Sequence, residues 1–195
     1  MSETLTTRGR PRDSEIDEAV LAAARDHLAS HGFAGMSLGA IAREAGTTRQ
    51  ALYRRWPTKQ ALAESAIAAI ADDSPPPTPV SDPFADLIAE LEDFRAGISR
   101  PGRLSLVGAM LQASNDPDVV LRYRSRIIAP RRARLRAILQ RGIDAGLLDR
   151  GADVAVAVTM LTGSWYARCL AGDAEPDDWP ERTAELVWRA LARER

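Results

Sequence analysis

The chain has 195 residues, enough for one small domain and one larger domain, and its net charge is −1. Whole-chain charge therefore gives no nucleic-acid signal, and any basic surface must be local. The single cysteine, Cys169, excludes a framework of intramolecular disulfides. No signal-like segment is visible at the start, and the longest uncharged stretch, 154–167, is too short to cross a bilayer, so we expect a cytoplasmic protein.

Residues 1–12 lack apolar periodicity and are predicted to form a flexible arm. The arm carries Arg8, Arg10 and Arg12, and arginines beside a DNA-binding helix can enter the minor groove, where the potential is negative. A solubilising tail explains the same residues equally well.

A first helix is predicted from Asp13 or Ser14 to Gly32. Its apolar residues recur at helical spacing and form one buried face: Ile16, Val20, Ala23, Ala24 and Leu28. His27 and His31 stand one turn apart near its end, where they could ligate a metal. No HExxH glutamate and no nearby cysteine accompany them, so surface or capping roles are favoured. We expect no metal and no cofactor.

Residues 37–56 contain two short helical patterns around a tight break. Ser37 is the predicted cap of the first, and Gly46 follows it where a left-handed helix C-terminus favours glycine. Thr47 or Thr48 is the predicted cap of the second, which Pro57 ends. Two helices joined by such a turn form a helix-turn-helix. The outer face of the second helix is polar, although a solvated helix in an ordinary bundle gives the same pattern: Arg49, Gln50, Tyr53, Arg54 and Arg55.

The run IAREAG, at 41–46, and the run LYRRWPTKQAL, at 52–62, closely resemble the DNA-binding signature of the tetracycline-repressor (TetR) family of bacterial regulators. The resemblance covers residues 13 to about 71 and includes the HGFAGMSL connection. Trp56 departs from the pattern, because phenylalanine is commoner there. The resemblance implies a dimeric transcription factor with a divergent helical ligand-binding domain.

The DNA contacts can be assigned residue by residue. Arg49 and Gln50, near the start of the second helix, are predicted to read base edges, since Arg pairs with guanine and Gln with adenine. The phosphate contacts are assigned to a second set: Ser37, Thr47, Thr48, Tyr53, Arg54 and Lys59. Lys59 lies in the first turn of the next helix, where its charge opposes the helix dipole, and a nearby phosphate would remove that cost.

Four prolines between Pro75 and Pro79 forbid a helix and mark a predicted domain boundary. The DNA-binding domain is placed at 13–73 and the second domain at 82–195. Five further helical patterns follow, at 83–98, 103–113, 117–145, 152–171 and about 176–192, which gives an all-α protein of about nine helices. Pro130 should kink or divide the long pattern at 117–145. The many arginines of that pattern are interpreted as a complement to the acidic 83–98 helix in preference to a second DNA-binding surface.

The second domain is predicted to bind a ligand and to dimerise. Aromatic and methionine side chains suit an apolar or amphipathic effector, although plain core packing explains each of them as well: Phe94, Met110, Tyr123 and Trp165. The last two helical patterns are apolar on several sides, which favours a four-helix dimer interface over completion of the monomer core. The residues assigned to that interface are Val158, Leu161, Leu186 and Val187.

No P-loop, Rossmann glycine pattern, GxSxG or metal-spaced cluster occurs in the sequence, so no enzyme is expected. The main hypothesis is a ligand-responsive repressor that binds a palindromic DNA operator as a homodimer. The alternatives are a ligand-independent regulator or activator, and a helical binding or enzymatic domain with a vestigial DNA-binding unit.

Overall fold

A computed structural model describes residues 10–73, 75–80, 82–112, 117–174 and 176–192, without the side chains of 10–12. The all-helical prediction is confirmed: over these residues the one β pairing is an isolated bridge between Leu148 and Ala192. Ten α-helices and one π-helical segment follow in chain order: α1 Arg10–Gly35, α2 Leu38–Glu44, α3 Arg49–Arg55, α4 Lys59–Asp72, α5 Pro83–Ile98, α6 Arg103–Gln112, α7 Pro117–Tyr123, the π segment Arg124–Ile128, α8 Ala129–Asp144, α9 Val154–Ala171 and α10 Trp179–Leu191.

The first helix begins at Arg10, earlier than the predicted start at Asp13 or Ser14. Pro11 permits this, because the N–H that proline lacks would have no helical partner in a first turn. Gly32 breaks the helix where its end was predicted, with φ 66° and ψ 178°, and one more helical turn follows to Gly35.

The long pattern at 117–145 is helical without a gap, and as predicted its regular α-helix is interrupted near Pro130. α7, the π segment and α8 follow one another without a gap, and Pro130 lies in the first turn of α8. Proline lacks the N–H that would bond four residues back, so the regular ladder is interrupted and a wider turn fits there. Counted as one helix, this run brings the total to the predicted nine.

One compact unit of the chain, the N-terminal unit, comprises the residues up to Asp73 together with Pro101–Ile127. Within it α1 packs against α2, α4 and α6. Its fully buried side chains come from each of the first four helices, and include Leu28, Ile41, Leu52, Leu62 and Ile67. By contacts, then, α6 and α7 associate with the N-terminal helices, although the predicted boundary at the proline-rich segment assigned them to the second domain. The assignment of DNA binding to residues 13–73 and of ligand binding and dimerisation to 82–195 stays a prediction.

The other compact unit, the C-terminal unit, comprises Ser74–Arg100 and Ile128–Arg195. In it α5 packs against α8 and α10, and α9 packs against α8 and α10. Apolar side chains from all four helices form one core, which includes Leu87, Leu91, Leu139, Leu161 and Val187. Ion pairs join α5 to α8, so the arginine-rich helix does complement the acidic one.

Candidate nucleic-acid interface

The α2–turn–α3 segment forms the predicted helix-turn-helix. Ser37 caps α2 by accepting a hydrogen bond from the Ala40 N–H at 3.4 Å. Of the two candidate caps of α3, it is Thr48 that serves, with its hydroxyl accepting from the Ala51 N–H at 3.1 Å. Between the helices Gly46 has φ 64°, a left-handed conformation that glycine adopts without steric cost. Caps and turn residues therefore fix both helix ends locally.

The recognition candidate α3 presents a polar face to solvent. Leu52 is its one buried residue. The other face exposes four of the residues assigned to DNA: Arg49, Gln50, Tyr53 and Arg54. Arg49 Nη2 donates to the Tyr53 hydroxyl at 3.2 Å, and its guanidinium carbon lies 5.4 Å from the Tyr53 ring centroid. The ring thus holds this arginine on the outer surface of the helix.

Arg55 differs from its neighbours, because it faces the protein although the sequence places it on the polar side. Its Nη2 contacts Asp13 Oδ1 at 2.7 Å, and its Nε contacts Asp17 Oδ1 at 3.0 Å. Sequence reasoning missed this pairing. Spacing gave no signal for it, because Arg49 also stands three residues from buried Leu52 and yet is exposed.

Lys59 lies at the first residue of α4 and contacts the end of α1. Its Nζ donates to the Ala34 carbonyl at 2.8 Å and lies 4.7 Å from the Phe33 ring centroid. Thr58 caps the same helix by accepting from the Ala61 N–H. Lys59 therefore fastens α4 to α1, and a phosphate contact by the same ammonium group stays a prediction.

The other predicted sites are distributed over both units. Arg8 and the side chains of Arg10 and Arg12 lie outside the described residues. Phe94 and Trp165, which were assigned to the ligand, contact each other in the C-terminal unit with ring centroids 6.3 Å apart. Met110 and Tyr123 are buried in the N-terminal unit.

Two further aromatic rings complete the cluster around Phe94, namely Tyr166 and Trp179. Burial raises the pKa of the Tyr166 phenol, and although the Arg131 charge opposes this, the hydroxyl stays protonated at neutral pH. The buried indole N–H of Trp179 has no acceptor among the described residues. The cluster thus combines packed aromatic rings with a buried N–H donor that lacks an acceptor among the described residues.

The residues assigned to dimerisation fall into two groups. Val158, Leu161 and Val187 are buried within the protomer, whereas Leu186 on α10 is 70% exposed. α9 also exposes large apolar side chains that the assignment omitted: Val156, Met160 and Leu170. Over its 18 residues α9 is also long and apolar enough for a membrane span, a test that the core helix of a soluble protein passes as well.

His27 connects α1 to α2, and His31 lies beside it on α1. His27 Nε2 lies 3.3 Å from Glu44 Oε1 on α2, and the His27 and His31 ring centroids are 5.2 Å apart. In the described part of the chain no group of three His, Cys, Asp or Glu side chains could hold a metal ion. His31 is exposed, as the favoured surface role requires, whereas His27 is buried and paired with Glu44, which the sequence did not predict.

Two family models match this chain: bacterial regulatory proteins of the tetR family over residues 20–66, and the tetracyclin repressor-like C-terminal domain over 75–187, more than half of the chain. An uncharacterized HTH-type transcriptional regulator, YdeS, from Bacillus subtilis (strain 168) is 29% identical over 174 residues, which cover 88% of this chain and 86% of YdeS. A TetR family regulator from Marinobacter aquaeolei VT8 is 26% identical with a TM-score of 0.72, over 95% of this chain and 100% of that one. The TetR family regulator SCO0332 is 28% identical with a TM-score of 0.62, over 92% and 100%. The chain belongs to the TetR family of bacterial transcription regulators.

Proposed function

We propose that this regulator is a ligand-responsive repressor that binds a near-palindromic operator as a homodimer in the cytoplasm. The observation that carries the proposal is the outer face of α3, where Arg49 and Gln50 stand exposed on a helix capped by Thr48 and anchored by Leu52. A capped helix of this size fits the major groove, and its first residues are those that reach base edges.

The division of labour along the helix-turn-helix follows from side-chain chemistry. Arg49 and Gln50 read bases. Phosphate oxygens are taken by donors around them, which are Ser37, Thr47, Thr48, Tyr53, Arg54 and Lys59. Such contacts set the register of the protein on DNA and carry no sequence information by themselves.

Homodimerisation follows from two features of the molecule. A single α3 reads only a few base pairs, and a two-fold dimer presents the same surface to two half-sites about one helical turn or a multiple apart. The exposed apolar residues of α9 and α10 in the C-terminal unit supply the self-complementary surface that such a dimer needs.

The effector that we propose is apolar or amphipathic. The rings of Phe94, Trp165, Tyr166 and Trp179 suit its apolar body, and the unpaired Trp179 N–H suits a hydrogen-bond acceptor on it. To release DNA the effector must bind the non-DNA conformation more tightly, because equal affinity for both states shifts nothing. A tenfold loss of operator affinity needs about 1.4 kcal/mol of coupling.

The test is retardation of a DNA fragment taken from beside the protein's own gene. We expect the wild type to shift the fragment even in excess non-specific DNA. The variant Arg49→Ala/Gln50→Ala should lose this shift while its melting temperature stays unchanged. A reporter fused to the fragment should be silenced by the wild type, and raised expression would instead make the protein an activator. If a broad screen of apolar compounds neither raises the melting temperature nor releases the fragment, the regulator is ligand-independent.

A further inference from the structure

The short recognition helix needs tertiary contacts to hold its direction. α3 has seven residues, and an isolated helix of that length is not stable in water. Its one buried residue, Leu52, supplies a single fully buried contact near the middle of the helix, so contacts elsewhere along α3 help to fix its rotation. Because Arg49 and Gln50 project from the first turn, a small rotation of α3 would displace them from the bases that they read.

Arg55 provides a second anchor at the other end of α3. Its guanidinium lies between Asp13 and Asp17, which stand one turn apart on α1, and its side chain is only 20% exposed. The Asp13 contact is a well-aligned hydrogen bond at 2.7 Å. The Asp17 contact is close at 3.0 Å but is not aligned as a hydrogen bond, so it acts as an ion pair.

The charge of this cluster disfavours a phosphate-binding role for Arg55. One guanidinium between two carboxylates leaves one net negative charge, which repels a phosphate. Arg49 and Arg54, by contrast, are exposed. The same residue type therefore serves two purposes within one short helix.

We propose that Arg55 is a positioning residue that fixes the end of α3 on α1 and so orients Arg49 and Gln50. It raises operator affinity without touching DNA. This inference rests on the proposed role of α3 in DNA recognition. It assigns a function to the ion-paired cluster of Arg55, Asp13 and Asp17. It also gives Arg55 a different role from the preceding basic residues of α3, which we propose contact DNA.

The first experiment measures operator and random-sequence DNA binding over a salt series for Arg55→Gln, with exposed Arg54→Gln as the matched control. Removing one phosphate-binding charge from each protomer lowers the slope of log affinity against log salt by about 1.8, since each neutralised phosphate contributes about 0.9. We expect this change for Arg54→Gln and an unchanged slope for Arg55→Gln.

A comparison of operator affinity with random-DNA affinity should distinguish a positioning role of Arg55 from a role in folding stability. Two partly exposed ion pairs limit the loss of operator affinity in Arg55→Gln to about two- to thirtyfold for each protomer. Binding to random DNA should stay as in the wild type, because it needs no orientation of Arg49 and Gln50. A merely structural role would instead lower both affinities in proportion to the unfolded fraction, which thermal melting measures.

The second experiment removes the carboxylates. The variant Asp13→Asn/Asp17→Asn removes two negative charges from α1, and this change of charge alone should strengthen DNA binding. The control variant Glu15→Gln/Glu18→Gln removes two negative charges from exposed positions of the same helix. We expect the aspartate variant to bind the operator more weakly than the glutamate control. Adding Arg55→Gln to the aspartate variant should cost nothing further.

Four results would overturn the proposal. Losses of operator and random-DNA affinity that both match the unfolded fraction would make Arg55 a merely structural residue. A slope lowered by about 1.8 in Arg55→Gln would make it a phosphate contact. An equal cost of Arg55→Gln in both backgrounds, or an aspartate variant that binds more tightly than its control, would show that the carboxylates do not act through Arg55. A wild-type protein that binds no sequence specifically would instead refute the proposed function itself.

Discussion

At the scale of single residues, Arg49 and Lys59 represent the two kinds of DNA contact that we propose. Arg49→Ala should lose roughly 1–3 kcal/mol of operator binding and relax the base preference at one position of each half-site. Lys59→Ala should weaken all sequences similarly and flatten the salt dependence. Competition binding against operator variants at several salt concentrations measures both effects.

Lys59 also donates to the Ala34 carbonyl, so its replacement needs a melting curve alongside the binding data. A lowered melting temperature with an unchanged salt slope would show that the contact with α1 is its main role. If Lys59→Ala alters base preference while Arg49→Ala weakens all sequences equally, the two assignments are reversed.

Asp86 makes the stability of the C-terminal unit depend on pH. Burial alone would raise the pKa of its carboxyl, but hydrogen bonds from Arg141 and from the Val80 N–H, with the Arg141 charge, outweigh burial and lower that pKa below its ordinary value. Because the carboxyl has a lower pKa in the folded state, its ionised form stabilises the fold. This stability is fully present above the ordinary pKa of 3.8 and is lost as the pH falls through the folded-state pKa.

Asp86→Asn should therefore lower the free energy of unfolding at pH 7 by about 1–3 kcal/mol, since partly exposed Arg141 can rehydrate. The difference from the wild type should shrink as pH falls below about 4. Urea unfolding followed by circular dichroism at several pH values measures this. A difference that is equal at pH 3 and pH 7 would contradict the role given to the ionised carboxylate.

At the scale of helices, the close approach of α8 to α10 depends on Gly142. A Cβ added there would lie 2.8 Å from Trp188 Cη2 and 2.9 Å from Leu148 Cδ1. Gly142→Ala should overpack this contact and lower the free energy of unfolding by about 1–3 kcal/mol. Gly108→Ala in α6 is the control, because its Cβ meets no atom within 4 Å, and it should raise stability by about 0.5–1 kcal/mol. Equal effects of the two changes in denaturant unfolding would refute the packing argument.

The helices and the turn of the DNA-binding motif could be predicted because their signals are local. Apolar spacing locates the buried face, Thr48 and Gly46 set the ends, and Pro57 ends α3. Each of these acts over a few residues, so it can be read without the tertiary structure.

The pairing of Arg55 could not be predicted in this way, because its partner Asp13 lies 42 residues earlier in the chain. Tertiary packing also decides which face of an all-round apolar helix is buried. On α9 it buries Val158 and Leu161 and leaves Val156 and Met160 exposed, which periodicity alone does not distinguish. Sequence therefore located the helices of the site more reliably than the partners of its side chains.

At the scale of the whole molecule, the exposed apolar residues of α9 and α10 predict self-association. Met160→Glu/Leu186→Glu places charges on residues that are exposed in the protomer, so the protomer should fold and remain monomeric. Leu121→Glu, at an exposed leucine of α7, is the matched control and should remain dimeric. Leu161→Glu buries a charge in the core and should misfold. Light scattering at micromolar concentration distinguishes these outcomes, and a monomeric wild type would contradict the dimer.

The central claim is that exposed residues of α3 read DNA bases while the protein is a two-fold dimer. Its most direct test is the selection of binding sites from a pool of random DNA duplexes. The wild type should enrich a near-palindrome with two half-sites about one helical turn or a multiple apart. Arg49→Ala should enrich the same spacing with one position of each half-site relaxed. Enrichment of no sequence, or of an unchanged sequence by Arg49→Ala, would contradict the account.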